Sequence, residues 1–292
     1  MTATEGHATT ASDTEPSAEQ PAEPPAAPSR SGAGRPTSAT AWLRPSVWLP
    51  LVVTLAVLAV LWQYGSRRLP YLLPSLPDVG GSLTSNLGYY VDNALVTLGE
   101  AVAGLAIGFV AGFVLAVLTS EFPLVRRAVM PIAVVLNVTP LVAIAPALVV
   151  AFGFGPLPKL IITGLICFFP ILINTAAGLR SVSQEVLQVY RTVDASRIEL
   201  LWHLRIPSAL PFLFAALRVV FPLSIIGAVV AEMSAAGSTR GLGTAISVAS
   251  SMNQLPVVYA SILVLALMGV LLLLAVTLVE RRALHWHDSA RD

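Results

Sequence analysis

Six apolar runs punctuate this chain, each near the length a helix needs to cross about 30 Å of hydrocarbon. They are Val47–Tyr64, Ala94–Leu118, Val129–Phe152, Leu160–Leu179, Ala209–Met233 and Val257–Val279. In hydrocarbon every backbone N–H and C=O must find an internal partner, so only helices and closed barrels can span it. The runs are continuously apolar, and the alternating segments of about ten residues that build a barrel do not occur. The expected fold is therefore an all-α membrane protein with six transmembrane helices. Charged residues make up 11% of the chain and hydrophobic residues 55%. A soluble domain carries charge at about 25% of its positions, so that class is excluded. The lone cysteine, Cys167, lies within the fourth run and reads as a small buried apolar residue that forms no intrachain disulfide. A net charge of +1, with no basic cluster interleaved with aromatics, gives no sign of nucleic-acid binding.

Residues 1–44 are rich in Ala, Pro, Thr, Ser and Glu, a composition expected to stay disordered. The start lacks the apolar stretch and basic leader of a signal peptide, so the first run is read as a retained span. Residues 45–92 combine that span with a loop, Gly65–Asp92, containing Pro70, Pro74, Pro77, Gly80 and Gly81 and a short surface helix expected near Leu83–Tyr90. Residues 93–280 form the core and residues 281–292 a tail. If the N-terminus is inside, twelve arginines fall in cytoplasmic segments (Arg30, Arg35, Arg44, Arg126, Arg127, Arg180, Arg191, Arg197, Arg205, Arg281, Arg282 and Arg291). The outer segments hold four basic residues: Arg67, Arg68, Lys159 and Arg240. Basic residues concentrate inside, so both termini are expected in the cytoplasm.

That orientation places Arg180–Pro211, a charged island between two apolar runs, in the cytoplasm. Val182, Val186, Val189, Tyr190 and Val193 recur at helical spacing, with Gln184, Glu185, Gln188 and Arg191 on the other face. A second helix starts at Ser196, where Ser196 and Glu199 have the spacing of a capping box. Pro207 and Pro211 suit entry into a new helix. On residues alone, such a helix either meets an aqueous partner or rests on the lipid surface.

The island resembles the EAA loop of permease subunits of ABC importers: EAA, three residues, Gly, nine residues, Ile, one residue, Leu-Pro. Gln188-Val189-Tyr190 stands at EAA, Asp194 at Gly, Leu204 at Ile and Ile206-Pro207 at Leu-Pro. Phe152–Leu160, Phe168–Val182, Leu210–Arg218, Ile225–Met233 and Arg240–Gly243 resemble, in order, the nitrate/sulfonate/taurine-type permeases. The resemblance covers about Leu72 to Arg282. It implies a type I importer core in which a cytoplasmic coupling helix docks on a separate ATPase. Gln188, Val193, Asp194, Ala195, Ser196, Leu204, Ile206 and Pro207 are the implied coupling residues. Implied partners are that ATPase, an extracytoplasmic solute-binding protein received by outer loops such as Phe152–Pro158 and Ser234–Asn253, a second copy of the chain, and the inner-membrane bilayer. The solute would be nitrate, a sulfonate, taurine or a vitamin precursor. No cofactor is expected on this chain: no GxxxxGK[ST] loop occurs, so ATP and Mg belong to the partner and the chain is not itself an enzyme. The alternative is a stand-alone secondary transporter or channel, but no repeat between the halves accompanies it.

Gly104, Gly108 and Gly112 lie four residues apart, a spacing that favours close packing inside the chain over a subunit contact. Pro131, Pro140, Pro146, Pro170 and Pro222 interrupt spans. Asn137 and Asn174, with Thr139 and Thr175, either line a path or form interhelical hydrogen bonds. Among charges, Glu100 lies about two turns into the second span and Glu232 is read as interfacial on the outer side. Arg218 either attracts an anionic substrate or sits in a structural ion pair or carbonyl clamp. Arg218 and Glu232 are about 21 Å apart along a helix and are not expected to pair. His285 and His287 form a weak metal motif with no further ligands.

Overall fold

A computed structural model describes residues 45–234 and 240–283. The expectations for residues 1–44 and for His285 and His287 lie outside the described residues. The described residues fall into two units divided after Thr54, and the packing described here lies within the second. Every described element is helical: α1 Pro45–Arg68, α2 Leu76–Ser85, α3 Leu87–Glu121, α4 Pro123–Val138, α5 Ala145–Phe152, α6 Pro156–Gly178, α7 Gln184–Thr192, α8 Arg197–Leu200, α9 Ile206–Ser234, α10 Leu242–Ser251 and α11 Leu255–Ala283.

Among the described residues, five helical segments are long and apolar enough to cross a membrane: Trp48–Arg68, Leu87–Glu121, Pro156–Gly178, Arg197–Ser234 and Leu255–Ala283. The expected single crossing at Val129–Phe152 is instead two shorter helices, α4 and α5, joined by a 3₁₀ turn at Leu141–Ile144. Proline is the cause. Pro140 disfavours the helical region for Thr139, which is extended at ψ 132°. Pro146 then occupies the first turn of α5, where its missing N–H costs nothing. The surface helix also falls earlier than expected, at Leu76–Ser85, capped by Ser75, whose Oγ accepts from Asp78 N at 3.3 Å. The second span then begins at Leu87 rather than at residue 94.

The core is built on α3, α6 and α9, which make the most extensive contacts. On α3 the buried positions are Tyr90, Asn93, Thr97, Ala101, Gly104, Leu105, Gly108, Gly112, Ala116 and Thr119, a stripe at helical spacing. A Cβ built on Gly104 meets Thr163 Cβ at 2.5 Å, and one on Gly108 collides with the Gly164 carbonyl oxygen. The glycines therefore let α3 and α6 approach backbone to backbone. Cys167 is buried in the central cluster with Leu105, Ile171, Leu213 and Val220, as expected from its place in the sequence. The chain between α1 and α2 is pinned by Trp62 Nε1, which donates to Pro74 O at 3.0 Å, and by Tyr259 Oη, which donates to Leu72 O at 3.1 Å.

Candidate functional site

The segment from residue 180 to 211 leaves the bundle after α6. Arg180 Nε donates back to Ala176 O at 3.0 Å. Partial burial, and then the charge of Arg126, lower the pKa of Arg180 from its ordinary value. α7 follows and ends in a tight stop. Asp194 is left-handed at φ 50°, and Ala195 N donates to Tyr190 O at 3.2 Å across six residues. This is a Schellman motif, in which the left-handed residue is usually glycine and Asp is among the few substitutes. The glycine of the EAA pattern thus has a backbone reason, and Asp194 meets it. The turn delivers Ser196 to the start of α8. Glu199 N donates to Ser196 Oγ at 3.3 Å and Ser196 N donates to Glu199 Oε2 at 2.8 Å, the reciprocal capping box.

Beyond α8 the structure departs from the expected break at Pro207. Leu201–Arg205 form a π turn that runs without interruption into α9, so Arg197–Ser234 is one helical segment of 38 residues. Ile206 N donates to Leu201 O, five residues back. Pro207 has no N–H to offer, and the wider turn accommodates its ring without ending the helix. Leu201 and Ile206 pack on the buried cluster of Ala116, Phe169, Leu179 and Ala209. Arg205 Nη1 pairs with Glu121 Oε1 at 2.5 Å and reaches Ser120 Oγ at 3.3 Å, tying the π turn to the end of α3. Gln188, Val193, Asp194, Ala195 and Ser196 lie along α7, the turn and the cap, while Leu204, Ile206 and Pro207 lie at the π turn and the start of α9. Beside them Val189, Val193, Ile198 and Trp202 are exposed by 63%, 71%, 70% and 64%. A soluble surface rarely leaves so many large apolar side chains open in so short a segment unless another surface covers them.

The four candidate path residues lie on three helices, α4, α6 and α9. Among the described residues no hydrogen bond joins any two of Asn137, Asn174, Arg218 and Glu232. Asn137 is exposed on the last turn of α4. Asn174 Nδ2 donates to Pro170 O at 2.8 Å, within its own helix rather than across an interface. Arg218 Nε donates to Glu280 Oε2 at 2.5 Å, joining α9 to α11.

Glu232 is packed inside the protein. It is 2% exposed. Its carboxylate accepts from Thr97 Oγ1 at 2.7 Å and from Gly243 N at 2.6 Å. Leu242 N donates to Thr97 Oγ1 at 2.9 Å, and Gly241 N to Asn93 Oδ1 at 2.7 Å. Three N–H groups at the start of α10 are thus held by side chains of α3 and α9, with a carboxylate at the positive end of the helix. Gly241 has φ 118°, and a Cβ there would strike the Glu232 carboxylate, so only glycine fits. Next to this cluster Lys159 Nζ pairs with Glu100 Oε1 at 2.6 Å, both largely buried. Lys159 is therefore a packed residue of α6 rather than an outer-loop charge. Sequence reasoning missed this cluster, yet Asn93, Thr97 and Glu100 lie on the same face of α3 as Gly104 and Gly108. No group of three or more His, Cys, Asp or Glu suited to a metal occurs among the described residues.

The family described as the binding-protein-dependent transport system inner membrane component matches residues 104–285. The chain is 34% identical over 236 residues to the formylaminopyrimidine transport permease protein ThiX of Halalkalibacterium halodurans, covering 80% of this chain and 94% of that protein. It is 33% identical over 250 residues to the riboflavin transport system permease protein RibX of Chloroflexus aurantiacus, covering 84% and 92%. It is 31% identical over 248 residues to the taurine transport system permease protein TauC of Escherichia coli, covering 82% and 90%. With its apolar spans and with matches of this length, the chain belongs to the ABC transporter permeases of the nitrate/sulfonate/taurine type, the binding-protein-dependent inner membrane components.

Proposed function

We propose that this chain is the membrane-spanning subunit of an ATP-driven, binding-protein-dependent importer of a small solute. The segment 180–211 couples it to a separate ATPase that carries ATP and Mg. The exposed apolar row Val189, Val193, Ile198 and Trp202, set around a Schellman turn and a capping box, is the observation that carries the coupling. A rigid, apolar element outside the bundle is what a partner groove can grip and push. Both termini and this segment lie in the cytoplasm, in accord with the distribution of arginine. α4 and α5 together make the sixth crossing, their broken backbone tolerated where it faces protein or a wet path. Residues 93–280 form the permease core. A second copy completes the path, and an outer solute-binding protein delivers the solute. The substrate class is that of the relatives: a pyrimidine or flavin vitamin compound, or taurine and similar sulfonates.

Purified complex in sealed vesicles tests the reading. Uptake that requires both ATP and the binding protein supports it, and uptake driven by an ion gradient alone overturns it. Ala195→Glu, which adds a charge beside the docking row, is expected to abolish co-purification of the ATPase while the permease still inserts. Asp194→Gly, which keeps the left-handed turn, is expected to leave co-purification intact. Unchanged complex yield with Ala195→Glu sinks the coupling assignment.

A further inference from the structure

The helix that begins at the capping box of Ser196 ends near Glu232, on the far side of the bundle. At 1.5 Å per residue its 38 residues run about 57 Å, longer than the hydrocarbon is thick. Glu232 is buried there against the start of α10, and its two oxygens take Thr97 Oγ1 and Gly243 N. Close contact is enforced by absence of side chains: a Cβ on Gly243 would lie 2.5 Å from Val229 O. A carboxyl with two short hydrogen bonds, buried at a helix N-terminus, makes a stiff joint. The opposite side of α10 carries the exposed residues Ser247, Val248 and Ser250.

We infer that Glu232 is the positioning residue that, with Thr97, locks α10 to the far end of the α9 helix, so that displacement of the 180–211 segment is conveyed to the opposite face through this joint. The inference rests on the proposed coupling of that segment to an ATPase. Glu232 touches no solute in this role. It acts by making α10 move with α9 and α3 instead of independently of them.

The test uses the complex co-purified with its ATPase, in vesicles, with Ser250→Cys on α10 labelled by an environment-sensitive fluorophore. Cys167 is buried and stays unlabelled. ATP with vanadate is the probe, and two quantities are read: trapped nucleotide and the emission shift of the label. With Glu232 present, trapping is expected to shift the emission. With Glu232→Gln, which keeps shape but loses one of the two acceptor oxygens, trapping is expected to persist while the shift is lost, and Glu232→Asp is expected to restore part of it. A fold defect alone lowers trapping and shift together, so their separation is specific to transmission. If Glu232→Gln does not assemble, Thr97→Val, which frees Leu242 N, decides in its place. Failure of both variants to assemble assigns these contacts to folding and overturns the inference. A shift that survives in an assembled variant, or that never occurs with Glu232 in place, also overturns it. Absence of trapped nucleotide in the unmutated complex instead refutes the proposed ATPase coupling.

Discussion

Gly108→Val is expected to leave almost no folded protein in the membrane. Added side-chain atoms at this position run into the Gly164 carbonyl oxygen, with Cys167 Cβ 3.1 Å from the first of them. A carbonyl is backbone and cannot rotate away as a side chain can, so α3 and α6 must separate. Their contact is the largest in the fold, and α9 packs on the same α6. Overpacking a core by a methylene or two costs about 1–3 kcal/mol where side chains can yield. Here they cannot, and the lost packing extends along the whole α3 stripe. Gly99→Ala is the matched control, because a Cβ there meets nothing within 4 Å. Replacing a helical glycine by alanine in open space gains about 0.5–1 kcal/mol. Size-exclusion profiles of detergent extracts separate the two: loss of the monodisperse peak for Gly108→Val, an unchanged or larger peak for Gly99→Ala. A normal peak for Gly108→Val refutes the packing argument.

Lys159→Met is expected to be the most damaging single change of charge. Lys159 and Glu100 side chains are only 7% and 13% exposed, and Glu100 Oε2 has no hydrogen-bond partner. Removing the ammonium leaves one carboxylate buried and uncompensated, with the Glu232 carboxylate in the same cluster. Breaking a buried pair from one side costs about 3–5 kcal/mol. Removing both charges is far gentler, so Glu100→Gln with Lys159→Met is expected to recover most of the loss. Thermal melting of the purified protein in detergent reads this directly. The single variant should melt well below the unmutated protein and the double variant near it. Equal melting of single and double variants removes the ion pair from the account.

The long helices were legible because twenty apolar residues admit few folds in lipid. Ala94–Leu118, Leu160–Leu179, Ala209–Met233 and Val257–Val279 each lie within an observed helix or overrun it by a single residue. The capping box was legible because it is a local pattern, Ser196 and Glu199 closing on each other without help from the rest of the chain. The run at Val129–Phe152 misled because hydropathy counts side chains, whereas its continuity depends on backbone donors that Pro140 and Pro146 lack. The cluster of Glu232, Thr97, Asn93, Glu100 and Lys159 was illegible for another reason. Its members are scattered across three helices, and only tertiary packing brings Glu232 to Thr97, 135 residues away in sequence. Each charge alone resembles an interfacial or path residue. Their contacts with one another distinguish them, and no window along one helix contains those contacts. Arg218 shows the same limit, since Glu280 lies 62 residues ahead of it.

The π turn at Leu201–Arg205 has a further consequence. A π turn is an α-helix with one residue to spare. Every residue advances an α-helix by about 100°, and the under-wound π turn takes up that advance, so the face that α8 shows outside the bundle and the face that α9 buries within it keep the phase of an uninterrupted α-helix one residue shorter. Deleting one residue from the turn would leave a continuous helix of nearly the same length and hydropathy. The spare residue is taken up within the turn, so its loss would close the turn to regular α-helix and leave Ile198 and Trp202 in nearly the same phase relative to Leu213 and Val220. In this chain the π turn is slack in the shaft: losing its spare residue would tighten the turn while the two ends keep their alignment.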